Sequence, residues 1–256
     1  MIKFFRKIRQ RLLTENKLSK YLVYAIGEII LVMFGILLAL QVNDWNEQRK
    51  NNDLEREFLN GLRADLVIDR TYYSKRIQDA ENYIRINRNF IMELYEEQQN
   101  YTDVQNLFEK LSLYSDLLTI HKSTYQELVN EGKLNLIRNR ELQLALIYYY
   151  RDTEIAEKHI EEFNVFSINN LLIAVEKIPS MLNLKNKKFL NIDNKFDHKF
   201  KGQYEFMNDP QSAKFQISEN VATLYTTKQM VFLTYYEDLK GQTNYLIESI
   251  DSIFEN

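Results

Sequence analysis

Histidines and acidic residues are the side chains of this sequence whose types could support metal or acid–base chemistry. Zinc and di-iron sites on helices need histidine and glutamate ligands at fixed spacings. None of the three histidines lies in an HExxH pattern or has Glu three residues before it, and they are His121, His159 and His198. We therefore expect no metal centre and no cofactor.

An acidic stretch around His159 is a second candidate for metal binding. Glu154, Glu157 and Glu161 share one face of a predicted helix, and Glu162 follows them. Such a face can bind a cation weakly, but a charged and solvated helix surface gives the same pattern far more often. We expect a solvated surface here.

Other common catalytic patterns are missing from the sequence. The chain has no cysteine, which excludes disulfides, thiolate metal sites and cysteine nucleophiles. It contains no Walker loop, no GxGxxG and no GxSxG, and its six glycines are scattered. These absences predict that the protein is not an enzyme.

Glu28 is the only charged residue in the otherwise largely apolar stretch at residues 21–42. As a helix this stretch measures about 33 Å, enough to cross the roughly 30 Å hydrocarbon core of a bilayer. A buried helix of a soluble protein is the alternative, but the preceding basic residues and the aromatic residues Tyr21, Tyr24 and Trp45 favour a membrane span. No small-residue cleavage site follows, so we expect a transmembrane signal-anchor helix.

The charge distribution predicts the orientation of this helix. Residues 1–20 carry seven basic side chains and one acidic one, whereas residues 43–256 have a net charge of −8. By the positive-inside rule, 1–20 forms a cytoplasmic arm and 43–256 an extracytoplasmic domain. An acidic domain binds nucleic acid poorly, so we expect no nucleic-acid partner.

Glu28 lies roughly 5 Å from the middle of the predicted span, where an ionised carboxylate costs a few kcal/mol. Three roles remain open: a protonated group that helps helices to pair, one member of an ion pathway completed by a partner, or a tolerated residue. Gly35 and Ala39 lie within about 40° of Glu28 around the helix. Small residues on such a face predict association in the bilayer with a membrane protein or a second copy.

Five short sequences in this chain resemble those of a known family. They are GEIILV at 27–32, GILLALQ at 35–41, NDWNE at 43–47, TYQEL at 124–128 and GKL at 132–134. They are similar to a family of uncharacterised single-span membrane proteins that is abundant in Bacteroidota. The resemblance implies an inner-membrane protein of a Gram-negative bacterium with its large domain in the periplasm, and it implies no known activity.

The distinctive polar residues of the resembling membrane segment are Glu28, Gln41, Trp45, Asn46 and Glu47. The last four form what we call the membrane-exit motif. Their presence indicates that the helix and its exit are more than a passive anchor.

The pattern beyond the membrane predicts an all-α fold. Six Gly and two Pro are too few for the turns of an all-β fold. Apolar residues recur with three–four spacing over 59–94, which predicts a long helix continuing from the membrane with at most a break near 51–52 or Gly61. Asp69 and Asn87 occupy two positions of this seam that should be apolar. A coiled-coil dimer and an intramolecular bundle both fit the seam, and the bundle is favoured.

The remaining segments complete an elongated antiparallel helical bundle. We predict helices at 103–114, at 121–131 with Gly132 as the residue after the helix, from a cap at Asn139 to Lys177, and at 217–254. After Pro179, residues 180–215 form a connection that is rich in lysine. These lysines could contact a phosphate or lipid headgroup, or they could lie in a solvated loop. The acidic and aromatic residues between them favour the solvated loop.

The organisation favours a membrane-anchored interaction or scaffold protein of unknown process, with the transmembrane helix mediating association. The alternative is a sensor-like bundle that binds a ligand outside the cytoplasm. Its signal would need a separate partner, because the cytoplasmic arm has only about twenty residues.

Overall fold

The computed structural model describes residues 18–178 and 204–255. Several sequence predictions lie outside the described residues: most of the basic arm at 1–17, His198, and the part of the predicted connection before 204, together with Pro179. The side chains of Tyr21 and Tyr24 also lie outside them. Within the described residues every regular element is helical, which confirms the predicted all-α class.

Five α-helices follow one another along the described residues. They are α1 Leu18–Leu94, α2 Tyr101–Lys110, α3 Ser123–Asn130, α4 Arg140–Lys177 and α5 Ala213–Glu255, with 3-10 turns at Leu134–Leu136 and Glu205–Asn208. The chain divides into two compact units, Met1–Glu57 and Phe58–Asn256. Each unit is described by itself below.

The first unit contains the apolar part of α1. Its most apolar window has a mean hydropathy of 2.3, and none of that window is buried. A helix of this length and composition can span a bilayer, which is consistent with the predicted membrane anchor. The helical backbone of α1 is continuous through Asn51 and Gly61, so neither position breaks it.

The second unit is built on α1 from Phe58 onward, α4 and α5. Arg63 near the start of this part of α1 forms an ion pair with Asp251 near the end of α5, at 2.5 Å. At the other end, Tyr95 donates a hydrogen bond to Glu219 near the start of α5. The last helix therefore returns antiparallel to the first seam, as predicted.

Contacts between α5 and α4 give the direction of α4. Tyr245, late in α5, donates to Glu141 at the start of α4, and Tyr235 contacts His159 in the middle of α4. Helix α5 is thus antiparallel to α4 as well as to α1. Helices α1 and α4 must run in the same direction, and the segment containing α2 and α3 crosses between their ends.

The core consists of two apolar clusters. One contains Leu66 and Leu146, and the other contains Phe90 and Phe108. The seam predicted on α1 is buried within the chain's own bundle, as its members Leu59, Leu62, Leu66, Tyr73, Ala80 and Leu94 show. Tyrosine fills much of this core, at Tyr73, Tyr101, Tyr149, Tyr150, Tyr204, Tyr225 and Tyr236.

Local signals explain three of the helix ends. Asn100 accepts a hydrogen bond from the Asp103 amide while the Asp103 carboxylate accepts one from the Asn100 amide, a capping box that starts α2. Asn139 caps α4 as predicted. Gly132 has a φ of 65°, which confirms its predicted place after a helix because that backbone conformation favours glycine.

The prediction of a helix extending to residue 114 is wrong. Helix α2 ends at Lys110, and α3 begins only at Ser123. Residues 111–122, which we call the strap, have no regular secondary structure. The reason is that polar side chains of the long helices bind the strap backbone in place of intrahelical hydrogen bonds.

Asn87 provides the first of these contacts and explains its place in an apolar seam. Its side-chain amide donates to the Ser112 carbonyl at 3.0 Å, and its side-chain carbonyl accepts from the Ser112 amide at 2.7 Å. One buried side chain therefore satisfies both backbone groups of a strap residue. This is the pairing that a neighbouring strand would otherwise supply.

Replacing Asn87 with alanine should lower the free energy of unfolding by about 2 kcal/mol, because both Ser112 backbone groups lose their partner. Urea denaturation of the full chain in detergent, followed by circular dichroism, measures the change. Asn89→Ala, at an exposed position of the same helix, is the control and should change stability by less than about 0.5 kcal/mol. Equal losses in the two variants would contradict this role.

Candidate functional site

The predicted association face lies on the apolar part of α1. Gly35 and Ala39 are exposed, and a Cβ atom added at Gly35 would meet nothing within 4 Å. Glu28 lies two helical turns before Gly35 and is partly exposed. The three residues share one helix face by their spacing, and the association role of that face stays a prediction.

The membrane-exit motif continues on the same helix. All four of its residues, Gln41, Trp45, Asn46 and Glu47, are exposed. A large exposed indole such as that of Trp45 suits the interface between hydrocarbon and water. The motif therefore offers polar and aromatic groups for contact where the helix leaves the apolar segment.

In the second unit, a set of polar residues on α1, two of them within the apolar seam, holds the strap. Four of its members recur at three- and four-residue spacing, and Asn87 lies three turns beyond the last of them. Each binds a strap residue or α3: Asp65, Asp69, Tyr72, Arg76 and Asn87. Helices α4 and α5 add Asn164, Lys228 and Gln229. The strap is thus joined to all three long helices.

Asp69 is fully buried and is the most highly coordinated carboxylate among these residues. One of its oxygens accepts from both the backbone amide and the Nδ1 of His121, each at 2.9 Å. The other accepts from the Tyr149 hydroxyl at 2.9 Å, and Tyr149 lies 3.1 Å from the Tyr73 hydroxyl. Asp69, the acidic residue within the apolar seam, is therefore a hydrogen-bond acceptor that holds the end of the strap.

Two opposing effects set the ionisation of Asp69. Burial raises the pKa of its carboxyl group above the ordinary value, because the charged form loses hydration. The hydrogen bonds from His121 and Tyr149 oppose this shift by stabilising the carboxylate. Burial likewise raises the pKa of the Tyr149 hydroxyl, so this tyrosine stays protonated and acts as a donor.

The Asp69–His121 pair also resembles the acid–histidine pairs of acid–base enzymes, in which a carboxylate orients the imidazole. The His121 ring is partly exposed. However, the same Asp69 oxygen also binds the His121 backbone amide, so holding the strap accounts for the contact. The geometry supports an anchoring role for this pair.

A polar layer lies farther along the strap. Arg76 forms an ion pair with Asp116 and donates to the Tyr114 hydroxyl at 3.1 Å. Asn164 of α4 donates to the Asp116 carbonyl at 2.7 Å, and the Tyr114 ring stacks on Tyr83 at 4.5 Å. This layer lies in the part of the strap between Leu111, in one apolar cluster, and Leu118, in the other.

Lys228 anchors the strap from α5 and is fully buried. Its ammonium group donates to the Tyr114 carbonyl at 2.8 Å and to the Ser115 hydroxyl at 2.7 Å, and it lies 4.2 Å from the centre of the Tyr225 ring. Burial lowers the pKa of the Lys228 amine to about 8, because the charged form loses its hydration.

Sequence reasoning missed Lys228, although a signal for it exists. The apolar stripe of α5 runs through Val221, Tyr225 and Phe232, and Lys228 fills the position between the last two at helical spacing. Like Asp69 and Asn87 on α1, a polar or charged residue at a position of an apolar stripe indicates a side chain that binds a buried polar partner. The partner on the strap, in contrast, cannot be read from the sequence.

The acidic stretch on α4 lies on the surface. Glu154, Glu157, Glu161 and Glu162 are all exposed, and the ring of His159 bonds to the Tyr235 hydroxyl instead of to these carboxylates. Groups of three or more side chains suited to holding a metal ion are absent from the described residues.

Comparison with known proteins gives a match to a family model over residues 28–197, which is 170 of the 256 residues. The model is described as a family of unknown function (DUF6090). The matched range contains most of the apolar helix, the strap and all of α4. No curated protein and no solved structure matches the chain.

The buried amine predicts a pH dependence of stability. Between about pH 8 and the ordinary lysine pKa of 10.5, the unfolded chain binds a proton at Lys228 that the folded chain has released. The free energy of unfolding of the wild-type protein, relative to a variant without this amine, therefore rises with pH across this window. Relative to Lys228→Met, the free energy of unfolding should increase by on the order of 3 kcal/mol between pH 8 and 10.5.

Urea denaturation of both full-length proteins at several pH values measures this difference. Lys240→Met, at a less buried position of α5, serves as the matched control and should show a much smaller dependence. A pH-independent difference between wild type and Lys228→Met would refute the assignment.

Proposed function

The chain belongs to DUF6090, a family of unknown function, and we propose that it is a membrane-anchored interaction or scaffold protein. In this proposal the transmembrane helix both anchors the chain and mediates association in the bilayer. The process it serves is defined by the partner that this helix binds.

One observation carries the proposal: the apolar window of α1 has no burial within the chain. A long exposed apolar helix requires an apolar environment, which a bilayer supplies. Within that window, Glu28, Gly35 and Ala39 share a face. An acidic side chain in hydrocarbon is stabilised by a partner, and small residues allow another helix to approach closely.

The proposal includes the location of the two ends of the chain. The seven basic residues among 1–20 favour a cytoplasmic N-terminus, and the acidic 43–256 favours an exported domain. In a bacterium with two membranes this places the helix in the inner membrane and the bundle in the periplasm. There the bundle presents an acidic and aromatic surface to partners.

We further propose that the protein is not an enzyme. The support is that two buried ionisable groups have their polar atoms engaged within the fold: those of Lys228 by the strap, and those of Asp69 by the strap and by Tyr149 of α4. Catalytic groups need to reach a reacting atom, whereas these groups are used to hold backbone.

A sensor-like binding bundle is the second candidate function. The observation that favours it is a cavity of about 380 Å³ between α4 and α5, lined mostly by apolar side chains. This volume is within the usual range for small-molecule pockets. A ligand there would have to signal through a separate partner, and thermal stabilisation of the full chain by a pure small molecule would favour this candidate.

The predicted topology is tested with reporters fused after Asn256. Alkaline phosphatase should be active and a cytoplasm-dependent fluorescent protein inactive, because the positive arm retains the N-terminus inside. In a variant with Lys3, Arg6, Lys7 and Arg9 changed to glutamine, the difference between the activities of the two reporters should become smaller. Activity of the fluorescent reporter alone would refute the exported location.

The association role is tested by photocrosslinking in native membranes. A photoreactive residue at Gly35 or Ala39 should capture one recurrent membrane protein or the chain itself, and Glu28→Leu should reduce that capture several-fold. The matched control position is Leu37, which is exposed and lies about 180° from Glu28 around the helix. Equal capture from Leu37, or capture unaffected by Glu28→Leu, would contradict the role.

A further inference from the structure

A surface of the second unit carries no charge. Residues 163–175 of α4 and 220–227 of α5 contain no charged side chain, although Glu161, Glu162, Glu176 and Lys177 flank the first stretch directly. In a chain with 27% charged residues, such a gap on exposed helices is unusual and indicates that this surface is not made for water alone.

The uncharged surface is also apolar. Five large side chains of α4 are 45–58% exposed here, namely Val165, Phe166, Ile168, Leu172 and Ile173. Their buried neighbours Asn164, Ser167 and Ala174 already supply the inward side of the helix. The five residues therefore form a second apolar face on α4, which we call the outer face.

A groove continues the outer face onto α5. It is lined by Phe166, Asn170 and Ile173 of α4 and by Ile217, Asn220 and Leu224 of α5. Exposed apolar residues that lie together beside a groove are typical of protein contact sites. The groove gives a partner side chain a place to insert.

The area of this surface matches the requirement for a dimer. Five half-exposed large side chains present on the order of 400 Å² of apolar surface per chain. With the α5 side of the groove included, two copies would bury roughly 1,000 Å² in total, the lower end of specific interfaces. Anchoring both copies in one membrane raises their effective concentration, so an interface of this size suffices.

The absence of charge favours a second copy over a different protein. In a two-fold interface the residues near the axis lie close to their own copies in the partner, so a charged residue there would face its own sign. Asparagine avoids this conflict because its amide both donates and accepts. Asn169 and Asn220 are two of the exposed polar residues that accompany the apolar ones.

We propose that the outer face of α4 and the adjoining groove bind a second copy of this chain in a two-fold symmetric pair. The proposal rests on the proposed function and names the partner of the exported bundle. It is independent of which protein the transmembrane helix binds.

The natural absence of cysteine makes disulfide crosslinking a direct test. Leu172→Cys in the full chain, oxidised in native membranes, should give a disulfide-linked product of twice the monomer mass, confirmed as homodimer by mass spectrometry. Glu157→Cys, also exposed on α4 but outside the outer face, is the control and should give at least tenfold less. No product from either Leu172→Cys or Ile168→Cys, or equal yields from Glu157→Cys, would overturn the proposal.

A charge variant tests whether the apolar face is responsible. Adding Ile173→Glu to Leu172→Cys should reduce the crosslinked fraction at least tenfold, because each copy would place an unpaired carboxylate in the apolar interface. Ile155→Glu, at a similarly exposed isoleucine of α4 outside the outer face, should leave the yield unchanged. Circular dichroism checks that both variants fold. A yield that persists in Ile173→Glu, or crosslinking only to another protein, would overturn the proposal.

The same membranes separate this inference from the proposed function. If a photoreactive residue at Ala39 captures a partner while Leu172→Cys gives no homodimer, the outer-face proposal fails and the membrane association stands. If Leu172→Cys gives a homodimer without capture from Ala39, the outer-face proposal stands and the membrane association fails.

Discussion

The bundle depends on one constraint: a chain segment without helix packs across the long helices, and the backbone groups that face these helices must find hydrogen-bond partners. The strap meets this constraint by using side chains. Asn87 pairs with both backbone groups of Ser112, Asp69 binds the His121 amide, and Lys228 binds the Tyr114 carbonyl. Polar residues in otherwise apolar positions are the consequence.

This arrangement also explains the direction of the helices. Because α1 and α4 run in the same direction, the chain must return across the bundle between them, and α2, the strap and α3 make that crossing. The close approach of α3 to α1 illustrates how tightly the crossing is fitted. A Cβ atom at Gly61 would lie 2.9 Å from the Thr124 side chain, so glycine permits the contact within a continuous helix.

The two units place different demands on polar residues. In the bundle, the buried side chains of Asp69, Asn87 and Lys228 find their partners within the chain, and the surface that we propose for contact on α4 and α5 carries no charge. In the apolar helix, the polar Glu28 can be satisfied only by the chain's own neighbourhood, by protonation or by a partner in the bilayer. The interaction function that we propose involves both units, because each exposes a surface whose composition is unsuited to water.

The sequence by itself determined the all-α class, the apolar helix, the apolar seam of α1, the cap at Asn139 and the role of Gly132. These features follow from periodicity and from local backbone preferences, which act over a few residues. It also marked Asp69 and Asn87 as unusual. Only the tertiary structure revealed the strap, the parallel course of α1 and α4, and the burial of Lys228. Their partners lie far away in sequence, and hydrogen bonds between such distant residues leave no local pattern from which they can be predicted.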